Sequence, residues 1–179
     1  MVDVSKEPLV KISIRNGLIA GVISVVLLIV MYYMGQHPLM ISPYFDFRVF
    51  LLGIFIFFTL REIRDNQADS VLFFWQAMVS SVLVVLVATI IGSLGLLVLA
   101  TLEPRFLSSY VEGMTQYLKG FPEEEVKKIG RDVYERNLEL LPSTNRTGLM
   151  ITYFGQGIII GLFVSIILSA ILRRQPKTP

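Results

Sequence analysis

Residues 72–102 read LFFWQAMVSSVLVVLVATIIGSLGLLVLATL, a run without a single Asp, Glu, Lys, Arg or His. As one helix it would extend about 47 Å at 1.5 Å per residue, more than the roughly 30 Å of hydrocarbon in a bilayer. Three other apolar stretches, 17–34, 49–60 and 149–172, accompany it, and the segments between them hold nearly all of the charge. A soluble domain of 179 residues could not bury so much Leu, Ile, Val and Phe, so lipid is the expected solvent. Composition agrees. The chain is 54% apolar and 17% charged, against about a quarter charged in an ordinary globular protein, and its mean hydropathy is +0.66.

The same composition excludes several classes. A net charge of +2 with no Lys/Arg block argues against nucleic acid as a partner. The absence of cysteine excludes disulfides and thiolate metal sites. The first apolar stretch follows Lys6, Lys11 and Arg15, as a signal peptide would, but Tyr32-Tyr33-Met34-Gly35-Gln36 is no small-x-small cleavage site. It therefore reads as an uncleaved first span.

The expected architecture is an all-α, multi-pass membrane protein: a single domain over 1–179 with four transmembrane helices at about 14–35, 43–61, 70–102 and 147–172. The second apolar stretch alone covers only about 18 Å. It becomes long enough if Ser42 caps a helix with Pro43 in its first turn. Asp46 and Arg48 then belong at the interface, since each costs roughly 2.5–3.5 kcal/mol at the bilayer centre. The third stretch must tilt, protrude or loosen near Gly92-Ser93-Leu94-Gly95.

Residues 103–146 are too polar to span and predict an extramembrane amphipathic hairpin. Its first helix carries Phe106, Leu107, Tyr110, Met114, Tyr117 and Leu118 at helical spacing. Its second opens at Pro122 with Glu123, Glu124 and Glu125 and lines Val126, Ile129, Val133, Leu140 and Leu141 along one side. With four spans, Lys6, Lys11, Arg15, Arg61, Arg64, Arg173, Arg174 and Lys177 share one side, and the positive-inside rule puts both termini in the cytoplasm.

Small residues at four-residue spacing allow helices to approach closely in lipid. Such stripes are Ser13, Gly17 and Gly21 in the first span and Gly157, Gly161, Ser165 and Ser169 in the fourth, while Ala77, Ser81, Ala88 and Gly92 share one arc of roughly 60° in the third. Ser70 and Gly95 extend the third, while Leu83, Leu86, Ile90 and Leu97 point away. These stripes either pack one monomer or, for 157–169, pair with another chain. The second span has only Gly53 and reads as peripheral.

No ionisable residue falls deep in a predicted span, which argues against proton relays and intramembrane catalysis. Ser80 and Ser81 lack a base to activate them. Gln76 and Gln156 either line a narrow polar path or bond one helix to another. His37, the single histidine, is a poor metal site alone and is expected at the surface. Asn145-Arg146-Thr147 fits a glycosylation sequon, without meaning in a bacterial chain. Tyr32, Tyr33, Tyr44, Trp75 and Tyr153 read as interfacial aromatics. No catalytic, cofactor-binding or metal-binding set is expected, and the chain is not expected to be an enzyme.

Several motifs together resemble a family of small four-span inner-membrane proteins of Gram-negative bacteria, catalogued as domain of unknown function 4199. They are Asn16-Gly17-Leu-Ile-Ala-Gly21, Leu60-Arg61-Glu62-Ile63-Arg64, Phe74-Trp75-Gln76-Ala77, the Glu103-Pro104 exit, and the Gly-rich fourth span ending at Arg173-Arg174. The resemblance implies a multi-pass α-helical fold in the bacterial cytoplasmic membrane and supplies no activity or cofactor. The expected function is a non-enzymatic scaffold or accessory subunit, with the bilayer and a membrane protein or second copy as partners. The alternative is a small transporter or channel component with Gln76, Gln156 and residues 92–95 along a polar route.

Overall fold

A computed structural model of the chain describes residues 6–41, 46–67 and 71–174. Within them lie α1 (Lys6–Tyr33), α2 (Phe47–Asp65), α3 (Phe74–Leu102), α4 (Arg105–Lys119), α5 (Glu123–Ile129), α6 (Arg131–Leu140) and α7 (Arg146–Leu172), with short 3₁₀ turns at Pro38–Met40 and Leu141–Ser143. Among the described residues no β-strand forms. One isolated bridge pairs Leu72 with Arg174 through hydrogen bonds of 2.9 and 2.8 Å, tying the start of α3 to the end of α7.

Three helices, not four, are long and apolar enough to cross a bilayer: Pro8–Tyr33, Phe74–Leu102 and Arg146–Leu172. The second stretch falls short because α2 starts at Phe47, with Asp46 as its cap. Its 19 residues include Arg48, Arg61, Glu62, Arg64 and Asp65. Ser42 and Pro43, the expected helix start, lie outside the described residues, as do Ser70 and Tyr44. Local chemistry explains the observed start. The Asp46 carboxylate accepts the Arg48 backbone N–H at 2.9 Å, meeting one of the donors that a helix N-terminus leaves free.

Small residues set the bundle. A Cβ on Gly17 would lie 2.8 Å from Val87, and one on Gly21 2.7 Å from Ile91. Gly95 in turn faces Val25, so α1 and α3 run parallel in direct contact. Gly157 faces Thr89, Gly161 faces Val85, and Ser169 lies 3.4 Å from Ser81, so α7 runs antiparallel to α3. α2 descends beside α1, where the Asn16 amide donates to Thr59 Oγ1 at 2.9 Å and Arg15 pairs with Glu62. α3 is continuous through Gly92 and Gly95. These positions are packing contacts and not a loosened turn.

The core has two tiers. Ile56, Leu60, Val84, Val85 and Ala88 anchor the lower one, and Leu28, Leu96, Leu99, Phe106, Leu149 and Tyr153 the upper. The outer faces are equally apolar: Val22, Phe58, Ile90, Val98, Ile159 and Phe163 are exposed. A helix apolar on all sides belongs in lipid, and the molecule reads as a multi-pass membrane protein.

The hairpin departs from expectation at Gly130. Its φ of +95°, a conformation that side chains with a Cβ disfavour, splits the expected second helix into α5 and α6. The apolar line breaks as well. Val126 and Leu141 are buried, whereas Ile129, Val133 and Leu140 face outward. α4 folds its apolar face over the upper tier through Phe106, and the Tyr134 hydroxyl on α6 donates to the Leu118 carbonyl of α4 at 3.2 Å.

Candidate functional site

Asp46 and Arg48, expected at the interface, are buried: they are 2% and 4% exposed. Arg48 lies 13 residues before Arg61 in α2, about 20 Å along the helix axis. Lone charges there would be costly, so the surroundings must satisfy them. The Arg48 Nε donates to both Asp46 carboxylate oxygens at 2.9 and 2.8 Å, and a terminal nitrogen also meets the carboxylate. One terminal nitrogen donates to the Tyr153 carbonyl and the other to Gln156 Oε1, each at 3.0 Å. The guanidinium carbon stands 4.2 Å from the Tyr153 ring centre, a cation–π contact.

The Tyr153 hydroxyl lies 3.2 Å from Ser24 Oγ on α1. Tyr153 is therefore buried and not the interfacial aromatic expected. Four helices meet here, since Thr89 of α3 and Ser24 of α1 line the same spot. The void they leave beside Arg48 is about 10 Å³, close to the minimum for one water molecule.

Gln156 thus bonds helix to helix, holding Arg48. Gln76 does something else: its Oε1 accepts the Phe73 N–H at 3.1 Å and caps α3. Gly92 is filled against by Tyr153 and Ser24, with a Cβ reaching 3.2 Å from the Tyr153 ring. Ser13 donates to the Leu9 carbonyl at 2.8 Å, Ser80 to Gln76 at 2.7 Å and Ser81 to Ala77 at 2.8 Å. Ala77, Ala88 and Ser165 are also buried, and Ser165 Oγ has no partner among the described residues. Asn145 caps α7 by accepting the Gly148 N–H at 2.7 Å.

A second feature lies at the other end of the bundle from Arg61 and Arg174. A cavity of about 880 Å³ is bounded by Tyr32, Tyr33, Gln36, His37, Glu103, Arg105 and Ser109, among others. His37 is half-buried and not the free surface residue expected. Its ring sits 4.6 Å from Phe106 and 5.3 Å from Tyr110, centre to centre. Nε2 donates to the Phe106 carbonyl and Nδ1 accepts the Leu39 N–H, both at 3.3 Å. Both partners suit the neutral ring with its proton on Nε2. Burial lowers its pKa to about 4 from 6.5, opposed weakly by the Phe106 carbonyl. Burial also raises the Tyr110 phenol.

Asp46, Arg48 and Tyr153 are the residues that sequence reasoning missed. The signal available was the 12-residue length of 49–60, too short to span and headed by two opposite charges two residues apart.

The model of a family described as "protein of unknown function (DUF4199)" matches residues 15–174. The chain belongs to this family. No curated protein and no solved structure matches it. The DUF4199 match spans Asn16, Arg48, Tyr153 and Gln156 together with the outer cavity, so both features lie within the family region.

Proposed function

We propose that this DUF4199 protein is a non-enzymatic scaffold or accessory subunit of a bacterial cytoplasmic membrane, with both termini in the cytoplasm and the short α2, sheltered by its neighbours, returning the chain between the parallel α1 and α3. One observation supports it above others: the interior polar site is tightly packed, with every Arg48 side-chain nitrogen bonded and only about 10 Å³ of space beside it. Such a centre holds helices in register and leaves the outer surfaces to make contacts. The exposed Ile129, Val133 and Leu140 of the hairpin suit a protein neighbour or a second copy. Purification in mild detergent after crosslinking in the membrane is expected to yield a defined complex, lost when Val133 and Leu140 are both changed to Glu. A strictly monomeric preparation with no crosslinked neighbour would overturn the proposal.

The buried Asp46–Arg48 pair favours a second reading, a small transporter or channel component, because ionisable groups inside a membrane often lie on transport paths. Under that reading Gln156→Leu abolishes flux in proteoliposomes. Unchanged flux dismisses it.

A further inference from the structure

The outer cavity has features that the packed interior does not explain. It sits where α1 ends at Tyr33 and α3 ends at Leu102, the level at which apolar helices leave the hydrocarbon. Its lining combines one carboxylate, Glu103, and one guanidinium, Arg105, with the rings of Tyr32, Tyr33 and His37. Among the described residues neither charge forms an ion pair within 4 Å. Glu103 uses Oε1 to accept the Arg105 N–H at 3.3 Å, and its second oxygen has no hydrogen-bond partner among the described residues. At about 880 Å³ the space falls in the usual 300–1,000 Å³ range of small-molecule sites. Tyr33, Met34 and Leu102 are 69%, 76% and 77% exposed at or beside the rim, the most exposed large apolar side chains of α1 and α3 ends, and they carry the surface on toward hydrocarbon.

We propose that this cavity binds the headgroup of a zwitterionic phospholipid, one bearing an ammonium and a phosphate as phosphatidylethanolamine does. Glu103 faces the ammonium, which also stacks on the tyrosine rings. Arg105 meets the phosphate. The acyl chains leave over Tyr33, Met34 and Leu102. An anionic lipid without an ammonium satisfies Arg105 but sets its negative charge beside Glu103. The apolar rim favours a lipid over a soluble zwitterion of the same headgroup chemistry.

Native mass spectrometry of the full chain, released from detergent with equal phosphatidylethanolamine and phosphatidylglycerol, tests this. Wild type is expected to retain phosphatidylethanolamine about fivefold more, the size set by two solvent-accessible charge contacts. Glu103→Gln should remove the preference, and Arg105→Gln should lower retention of both lipids, with unchanged helix content by circular dichroism. Equal retention by wild type, or a preference that survives Glu103→Gln, overturns the proposal. Glycerophosphoethanolamine, which has the headgroup without chains, is the second arm. Binding as tight as that of the lipid would overturn the assignment to lipid.

Discussion

Arg48 shows how much one side chain can demand of a bundle. Its contacts with Asp46, Tyr153 and Gln156 join the start of α2 to α7. Arg48→Met alone strands the Asp46 carboxylate and should cost about 3–5 kcal/mol. Arg48→Met combined with Asp46→Ser should recover most of that loss, because serine keeps the cap and no buried charge remains. Unfolding midpoints in detergent for Arg48→Met, Asp46→Ser and the double variant close the cycle, and a double variant as unstable as Arg48→Met would contradict it. His37 gives a pH signature. Its folded pKa of about 4 is below the ordinary 6.5, so the unfolded chain binds the proton more readily between these values. Stability from this residue is therefore complete above pH 6.5 and falls as pH drops toward 4. Protection factors, which correct for the slower intrinsic exchange in acid, should fall over that window at the amides of 37, 39, 40 and 105–110, and His37→Phe should flatten the response.

Helix contacts, by contrast, were largely visible in advance. Gly17, Gly21, Gly157 and Gly161 recur at a spacing that puts them on one face of a helix, and that face is where α1 and α7 meet α3. The stripe at 157–169 is spent inside the monomer, against Val85, Thr89 and Ser81. Gly161→Ala drives a methyl into Val85, itself 1% exposed, and overpacking of this kind costs typically 1–3 kcal/mol. Gly155, with nothing among the described residues within 4 Å of its Cβ position, is the matched control. Gly155→Ala should leave the unfolding midpoint unchanged or higher, and equal losses at the two sites would refute the contact. The start of α2 was not visible. Span length argued for extending it upstream and sending its charges to water, but the partners that accept Arg48 lie 105 and 108 residues onward. No local pattern marks such a pairing. His37 misled for the same reason, since Phe106 and Tyr110 cover it from a different helix.

For the whole molecule, one end gathers the start of α1, the end of α2, the start of α3 and the end of α7, through the Arg15–Glu62 pair and the Leu72–Arg174 bridge. α4–α6 cap the other. Because the chain has no cysteine, single introduced thiols report cleanly. Arg64→Cys and Arg173→Cys should react with an impermeant maleimide from one face of the membrane, and Glu124→Cys from the opposite face. Labelling of all three from the same face would exclude this arrangement.

The distance in sequence between Arg48 and its α7 partners also bears on how the protein is made. A ribosome that has delivered α1 and α2 has made Asp46 and Arg48, yet Tyr153 and Gln156 are still to be synthesised. Through most of its synthesis the nascent chain holds this pair half-sheltered. It becomes self-sufficient only when its last helix arrives, and a chain broken off before α7 leaves Arg48 without two of its acceptors.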